Sequence, residues 1–97
     1  MDGLWVDPEQ GLAGYGDRLL PLSEQEVALL TAFADAGDRV VTRAELLRRA
    51  RLPRSAPRRC DAVLVGLRRA LGDGAIANVR GRGWRFLAGP VLRIHAR

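Results

Sequence analysis

Several residue types are scarce in this sequence of 97 residues, and each shortage excludes a class of protein. A single cysteine, Cys60, excludes an internal disulfide, and one cysteine with one histidine, His95, excludes a metal site of the usual spacing. No apolar run approaches the ~18 residues of a membrane span, and the first residues lack the pattern of a signal peptide. We therefore expect one domain in the cytoplasm, with no cofactor, no metal and no membrane contact.

Groups that could perform catalysis are also few. The carboxylates are scattered along the chain, and no spacing places Ser23, Ser55, Cys60 or His95 beside a partner that would activate a nucleophile. The sequence therefore predicts a protein that is not an enzyme and that has no catalytic residues.

Lysine is absent, so arginine carries all of the positive charge, and the charge is distributed unevenly. Residues 1–38 contain one arginine and eight acidic residues, whereas residues 39–97 contain fifteen arginines and three acidic residues. A basic half beside an acidic half indicates a surface that binds a polyanion such as nucleic acid. A solvated surface in an arginine-rich proteome would have the same composition.

Short apolar segments between turn residues predict an antiparallel sheet at the N-terminus, with strands at residues 4–6, 12–13 and 19–20. Residues 23–26 and 42–45 each have the pattern of a capping box, in which a hydroxyl and a glutamate bond reciprocally to the backbone at the start of a helix. They predict one helix that ends near Ala36 and a second that ends before Pro53.

A third helix and a hairpin follow these elements. The helix is expected from Arg58 to Leu71, and its buried stripe consists of Cys60, Leu64, Leu67 and Leu71. The opposite face consists of Arg58, Ala62, Val65 and Arg69, with Gly66 beside them. Two alternating segments, 76–79 and 84–87, are joined by a glycine-rich turn and predict a hairpin with arginines at its tip.

This order of elements predicts an α+β winged helix-turn-helix, with an N-terminal antiparallel sheet, a three-helix core and a C-terminal β-hairpin wing. The second and third helices form the helix-turn-helix through residues 52–57, and residues 76–88 form the wing. The domain is expected to span residues 1–89, and residues 90–97 form a C-terminal tail. This tail either adds an edge strand or is disordered, and disorder is the expectation.

Four segments of the chain resemble the OmpR/PhoB-type effector domain of bacterial response regulators, and the resemblance as a whole covers roughly residues 3–88. They are LPLSEQEVALL, GDRVVTRAELL, CDAVLVGLRRALGD and IANVRGRGWRF, of which the last is the most specific. The resemblance implies four antiparallel strands before the helices and a function in the control of transcription. No receiver domain precedes the match, so the chain is expected to be either a free-standing effector domain or a piece of a longer protein.

The resemblance also implies roles for three arginines. Arg58 opens the recognition helix and contacts DNA, Arg68 contacts the DNA backbone, and Arg80 enters the minor groove. The chain departs from the family at Val65 and Gly66, which stand where polar or basic residues commonly face the groove. The exposed helix face therefore offers few donors to the edges of bases, which favours phosphate contacts over the reading of sequence.

We predict a DNA-binding site made of basic and groove-facing side chains: Arg58, Arg59, Ala62, Val65, Arg68, Arg69, Arg80 and Arg82. The arginines of the third helix would hold it in the major groove, those of the wing would lie in the minor groove, and the two apolar residues would pack on thymine methyl groups. The predicted function is that of a transcription regulator that binds double-stranded DNA in a sequence-dependent manner, at the nucleoid.

The alternative is a winged-helix module that binds protein and has weak or no affinity for DNA. Ala62, Val65 and Gly66 would then form a small apolar docking patch on the exposed helix. The sequence also leaves open a protein partner or RNA polymerase, and a second copy of the chain on tandem half-sites.

Four residues outside this site have structural explanations. Cys60 and Trp84 are expected in the core, and Trp5 is expected on the inner face of the sheet. Asp61 either stabilises the positive end of the third helix or pairs with an arginine. The functional alternative for Asp61 is that it orients the contact with DNA.

Overall fold

The computed structural model describes residues 3–94, which form three helices and six strands. The helices are α1 (Glu24–Ala36), α2 (Arg43–Arg49) and α3 (Pro57–Leu71), and a 3-10 turn (Asp73–Ala75) follows α3. The strands are β1 (Leu4–Asp7), β2 (Leu12–Tyr15), β3 (Arg18–Leu19), β4 (Ile76–Val79), β5 (Gly83–Phe86) and β6 (Val91–Arg93). Within the described range, no helix has the length and apolar character needed to cross a membrane.

The N-terminal strands belong to a four-stranded sheet in the order β3-β2-β1-β6. The pairs of β1 with β2 and of β2 with β3 are antiparallel, as predicted. The expectation of four antiparallel strands before the helices is wrong, because three precede them in the described residues and the fourth, β6, comes from the other end of the domain and runs parallel to β1. A parallel partner is possible here because the helices and the wing return the chain to the same end of the sheet.

The expectation that the tail is disordered is wrong for residues 91–93, which add the edge strand that was the alternative. The carboxylate of Asp35 accepts from Arg93 Nη1 at 2.7 Å through both oxygens and from Arg49 Nη2 at 2.6 Å. Burial alone would raise the pKa of Asp35, but the two guanidinium groups outweigh it and the pKa is lowered. A backbone bond from Ile94 to Val6, at 2.8 Å, continues the pairing. His95 lies outside the described residues.

Trp5 lies on the outer face of the sheet, and its predicted place on the inner face is wrong. Leu4 and Val6 are buried in the core, so the side chain between them points to the opposite face. Gly14 is the cross-strand partner of Trp5, and a Cβ at Gly14 would overlap with the indole ring. The indole Nε1 donates to the carbonyl oxygen of Gly16 at 2.8 Å. A glycine therefore makes room for this tryptophan.

The two predicted capping boxes differ in the structure. Ser23 and Glu26 form both reciprocal bonds, at 3.1 and 2.8 Å, so the box at α1 is confirmed. At α2 the Thr42 hydroxyl accepts from the Glu45 N–H at 3.1 Å, but the Glu45 carboxylate accepts from Arg39. The hydrogen bond from Arg39 lowers the pKa of Glu45. The second box is therefore half formed, since a charged donor has taken the carboxylate.

A Schellman motif ends α2, and a residue other than glycine occupies its left-handed position. Arg51 has φ of +58°, its N–H donates to the Arg48 carbonyl at 3.1 Å, and the N–H of Leu52 donates to the Leu47 carbonyl at 2.8 Å. Leu47 and Leu52 are both buried. The motif therefore starts the turn between α2 and α3 and returns the chain to the core.

The core lies between the sheet, the three helices and the inner side of the wing. Phe33 of α1 packs on Phe86 of β5 with ring centroids 5.6 Å apart. Trp84 and Cys60 are both buried, as predicted, and burial raises the pKa of the Cys60 thiol. Trp84 also forms two backbone bonds with Val41, at 2.7 and 2.9 Å. The segment before α2 thereby holds one strand of the wing.

Candidate nucleic-acid interface

One side of α3 is open to solvent in the part of the chain that the structure describes. We call it the outer face of α3, and it consists of four exposed residues: Arg58, Ala62, Val65 and Arg69. Val65 is 47% exposed although it is apolar, because the buried stripe of α3 lies on the other side. The predicted division of this helix into a core face and an exposed face is therefore present.

Gly66 belongs to one flank of α3 and not to its outer face. It is partly buried, and a Cβ at this position would overlap with the carboxylate of Glu26, which also closes the capping box of α1. The expectation that Gly66 forms part of the exposed face is wrong. The glycine lets the first turn of α1 approach α3, which gives a packing reason for a residue that otherwise weakens a helix.

The other flank of α3 faces the wing. Asp61 accepts from Arg43 Nη2 at 3.1 Å, and the Arg43 guanidinium lies over the Trp84 ring, 5.0 Å from its centroid. Of the roles left open for Asp61, the pairing with an arginine is the one present. These contacts connect α3 to β5 through the first residue of α2. Arg43 has no local signal in the sequence, because its partners Asp61 and Trp84 are distant along the chain.

Arg68 lies on this same flank. Its Nη2 donates to the carbonyl oxygen of Ile76 at 3.1 Å, and its side chain is partly buried. Its Nε is enclosed and has no hydrogen-bond partner within residues 3–94. Among the eight predicted residues, seven are exposed and Arg68 alone is partly buried.

The wing presents its arginines at an exposed turn. Arg80 and Arg82 are both exposed, and Gly81 between them has φ of +75°, a conformation that favours glycine. Gly83 has φ of +146°, and a Cβ there would overlap with the carbonyl oxygen of Val41. The two glycines therefore serve different purposes, since one makes the turn and the other lets the wing approach the segment before α2.

The charges of the predicted site are largely uncompensated. Four ion pairs occur in residues 3–94, and they occupy Arg39, Arg43, Arg49 and Arg93. None of these pairs includes the five exposed arginines of the predicted site: Arg58, Arg59, Arg69, Arg80 and Arg82. Such a group of exposed cations attracts a polyanion.

The surface of the described residues is recessed near the start of α2 and again near its end. The smaller recess, of about 210 Å³, lies between the start of α2 and the wing and is bounded by Arg43, Trp84 and Arg82. The larger, of about 620 Å³, lies between α1, the end of α2 and Arg93, and it contains none of the predicted site residues. The smaller recess is therefore the one that adjoins the predicted site.

The sequence profile of the family described as "Transcriptional regulatory protein, C terminal" matches residues 17–86. This range includes all three helices and the wing. The chain belongs to this family. The resemblance to the OmpR/PhoB-type effector domain is thereby confirmed, and the family is one of transcription regulators and not of enzymes. The family does not favour the alternative of a protein-interaction module.

Solved structures of similar domains agree with the family. The DNA-binding domain of the response regulator AdeR, solved with an intercistronic region, has a TM-score of 0.78 at 24% identity, over 93% of this chain and 98% of that chain. The DNA-binding domain of CpxR from E. coli has a TM-score of 0.75 at 25% identity, over 95% of this chain and 93% of that chain. The DNA-binding domain of RstA from Klebsiella pneumoniae, solved with the RstA box, has a TM-score of 0.70 at 26% identity. The match covers 86% of this chain and 89% of that chain. These similarities confirm the winged-helix fold. A comparison with curated proteins found no match to the chain.

Proposed function

We propose that this member of the family regulates transcription by placing α3 in the major groove of double-stranded DNA and the wing in the adjacent minor groove. The observation that carries the proposal is a set of five exposed arginines on α3 and the wing that form no ion pair within residues 3–94. The AdeR and RstA domains, which have the same fold, were solved with DNA. A duplex is therefore the polyanion that best fits this surface.

The outer face of α3 has charged ends and an apolar middle. Arg58 and Arg69 lie about 16 Å apart along the helix axis, at about 1.5 Å per residue. This span is comparable with the ~12 Å width of the major groove, so the two arginines can each approach a phosphate strand. Ala62 and Val65 lie between them and can contact thymine methyl groups. The proposed readout is therefore weighted to methyl groups, with phosphate contacts at both ends and from Arg59.

The wing supplies the second part of the proposed contact. Arg80 and Arg82 lie on either side of Gly81, so the turn carries two charges and no bulky side chain between them. The narrow minor groove of A·T-rich DNA has an enhanced negative potential that attracts arginine. We expect the protein at the nucleoid in the cytoplasm, where duplex DNA is found. RNA polymerase, another protein or a second copy on tandem half-sites would be an additional partner.

Selection of binding sites from random duplex DNA tests this proposal, followed by anisotropy titrations of the enriched duplex at two salt concentrations. If each of the five exposed arginines displaces about one counterion, the log–log salt slope is about −4.5, which is a loss of about 500-fold between about 50 and 200 mM salt. Arg80→Ala and Arg82→Ala should each weaken binding by about 1–3 kcal/mol. Arg18→Ala, on exposed β3 in the acidic half, is the matched control and should change the affinity little.

Four outcomes would count against the proposal. A wild-type protein without measurable duplex affinity would contradict the function, and a salt-independent affinity would contradict the phosphate contacts. Wing variants that bind as tightly as the wild type would remove the wing from the mechanism. Measurable affinity without enrichment of any sequence would contradict the readout by Ala62 and Val65.

A further inference from the structure

The contacts on the flank of α3 that faces the wing give one predicted DNA contact a different role. We propose that Arg68 is a positioning residue, which fixes the wing against α3, and that it does not contact a DNA phosphate. The proposal rests on the proposed function, since α3 and the wing must keep a set distance if both are to contact one duplex. The other seven predicted residues keep their roles.

The guanidinium of Arg68 is directed into the protein. Its Nη2 is bonded to the carbonyl oxygen of Ile76, and its Nε is enclosed without a partner among the residues that the structure describes. Arg69, the next residue, is exposed and belongs to the outer face. At about 100° per residue, adjacent helical side chains point in very different directions. Arg68 is therefore directed towards the base of the wing, whereas Arg69 is directed towards solvent.

The acceptor of the Arg68 bond lies at the base of the wing. Ile76 is the first residue of β4 and is only 3% exposed, so its carbonyl belongs to a well-packed part of the chain. A hydrogen bond from a charged donor is about twice as strong as one between neutral groups. Arg68 therefore ties the start of β4 directly to α3.

The second strand of the wing has its own anchor. The Trp84 backbone of β5 is held by Val41 through two hydrogen bonds, at 2.7 and 2.9 Å. A two-stranded hairpin is marginally stable by itself in water, so both strands depend on such contacts. Arg68 holds β4 and Val41 holds β5, and together they fix the orientation of the wing.

The distance from the base of the wing to its tip amplifies any movement at the base. The four steps from Ile76 to Arg80 extend about 13 Å, at about 3.3 Å per residue. A rotation of about 10° at the base would then move the tip by about 2 Å, which is enough to break hydrogen bonds there. Loss of Arg68 should therefore weaken the contacts that Arg80 and Arg82 make with DNA.

Hydrogen exchange of the free protein tests the contact without DNA. In Arg68→Ala the amides of β4 and β5 should exchange at least tenfold faster, whereas those of β1 and β2 should be unchanged. Arg69→Ala is the matched control and should leave the wing protected. Arg68→Lys should restore part of the protection, because its ammonium can donate to the Ile76 carbonyl. Exchange of β4 and β5 that equals the wild type in Arg68→Ala would overturn the proposal.

A double-mutant cycle with DNA tests the consequence for binding. If Arg80→Ala costs about tenfold in the wild type, we expect it to cost less than about twofold in Arg68→Ala and still about tenfold in Arg69→Ala. A phosphate contact by Arg68 predicts additive effects instead, together with a salt slope lower by about one unit. Additivity would therefore overturn the proposal.

Two controls keep the results distinguishable. If Arg68→Ala fails to fold, as judged by circular dichroism, the cycle is run with Arg68→Gln, whose amide keeps a donor without the charge. If residues 68 and 80 remain coupled in that variant, the result supports Arg68 as a positioning residue. If the effects of the two substitutions are additive and the salt slope of DNA binding is lower by about one unit, the result opposes it. If the wild type binds no duplex, the proposed function fails, while hydrogen exchange still decides whether Arg68 holds the wing.

Discussion

The four-stranded sheet and the wing are both small β structures, but they are held in different ways. The sheet packs the buried side chains of β1 and β2 on α1, and β6 closes its edge with the aid of Asp35. The wing buries the side chains at its base, while residues 80–82 extend into solvent. A sheet held over its whole length keeps its shape through many weak contacts, whereas the position of the wing tip depends on a few directional ones.

The two structures also differ in charge. Asp7, Glu9 and Asp17 lie on or near the sheet, whereas the wing carries three arginines and no acidic residue. Repulsion would therefore keep a nucleic acid away from the sheet and attraction would bring it to the wing. The comparison leads to a general expectation: substitutions in the sheet should act mainly on stability, and substitutions in the wing should act mainly on binding.

Gly83→Ala should have the largest effect, because it disrupts the contact that holds the wing against the segment before α2. A Cβ at Gly83 would overlap with the Val41 carbonyl, and φ of +146° is strained for alanine, so we expect a loss of about 2–3 kcal/mol in the free energy of unfolding. Gly81→Ala is the matched control, because its Cβ would meet nothing within 4 Å, and it should cost about 1 kcal/mol. Urea denaturation measures both values. Equal losses would contradict the close approach at Gly83.

Asp35→Asn should have an intermediate effect, on the sheet side. The variant leaves Arg93 and Arg49 without a charged partner, and because the ion pairs are exposed and screened by solvent we expect a loss of about 1 kcal/mol at pH 7. Because the pKa of Asp35 is lowered on folding, its contribution is complete above the unfolded value of about 4 and is lost as pH falls through the folded value. Urea denaturation from pH 7 to pH 3 should thus bring the variant and the wild type together.

The exposed Asp38→Asn is the control for that measurement, because Asp38 forms no ion pair among residues 3–94. Its stability should follow the wild type across the whole pH range. A difference between Asp35→Asn and the wild type that stays constant down to pH 3 would mean that the carboxylate charge is not what holds β6. DNA affinity at neutral pH should change little in either variant.

Arg51→Gly should have the smallest effect, and it should stabilise the protein. The left-handed conformation costs a residue with a Cβ about 1 kcal/mol, and glycine adopts it freely, so a gain of about 0.5–1 kcal/mol is expected. Thermal unfolding measures the gain. Arg54→Gly, in the same turn, is the control and should give no gain. A destabilised Arg51→Gly variant would contradict the Schellman motif, or would show that the Arg51 side chain contributes more than its backbone costs.

Local features of the fold were predictable from the sequence, because the signals act over a few residues. The cap at Ser23 and the apolar spacing of α3 depend on neighbours within one or two turns, and both are present. The place of Trp5 was predictable in principle, since alternation with Leu4 and Val6 requires it to point outwards. The half-formed box at Thr42 was not, because it depends on competition from Arg39 for the same carboxylate.

Features that depend on distant partners were missed for a physical reason. Neither β6 nor the role of Arg43 has a local signal, since each is decided by contacts with residues far away in the chain. Gly66 has a partner, Glu26, in another helix. In the candidate site, residue type and helical angle predicted which side chains are exposed. They could not predict that Arg68 bonds to the Ile76 carbonyl, because the path of the chain after α3 decides it.

The pairing of β1 with β6 has a consequence for the order in which the molecule forms. Val6 is synthesised well before its partner Arg93, so β1 leaves the ribosome with a bare edge that stays open until residue 93 is available. Open strand edges are where nascent chains associate wrongly. The acidic residues near β1 would then act as gatekeepers during synthesis, because like charges keep neighbouring nascent chains apart.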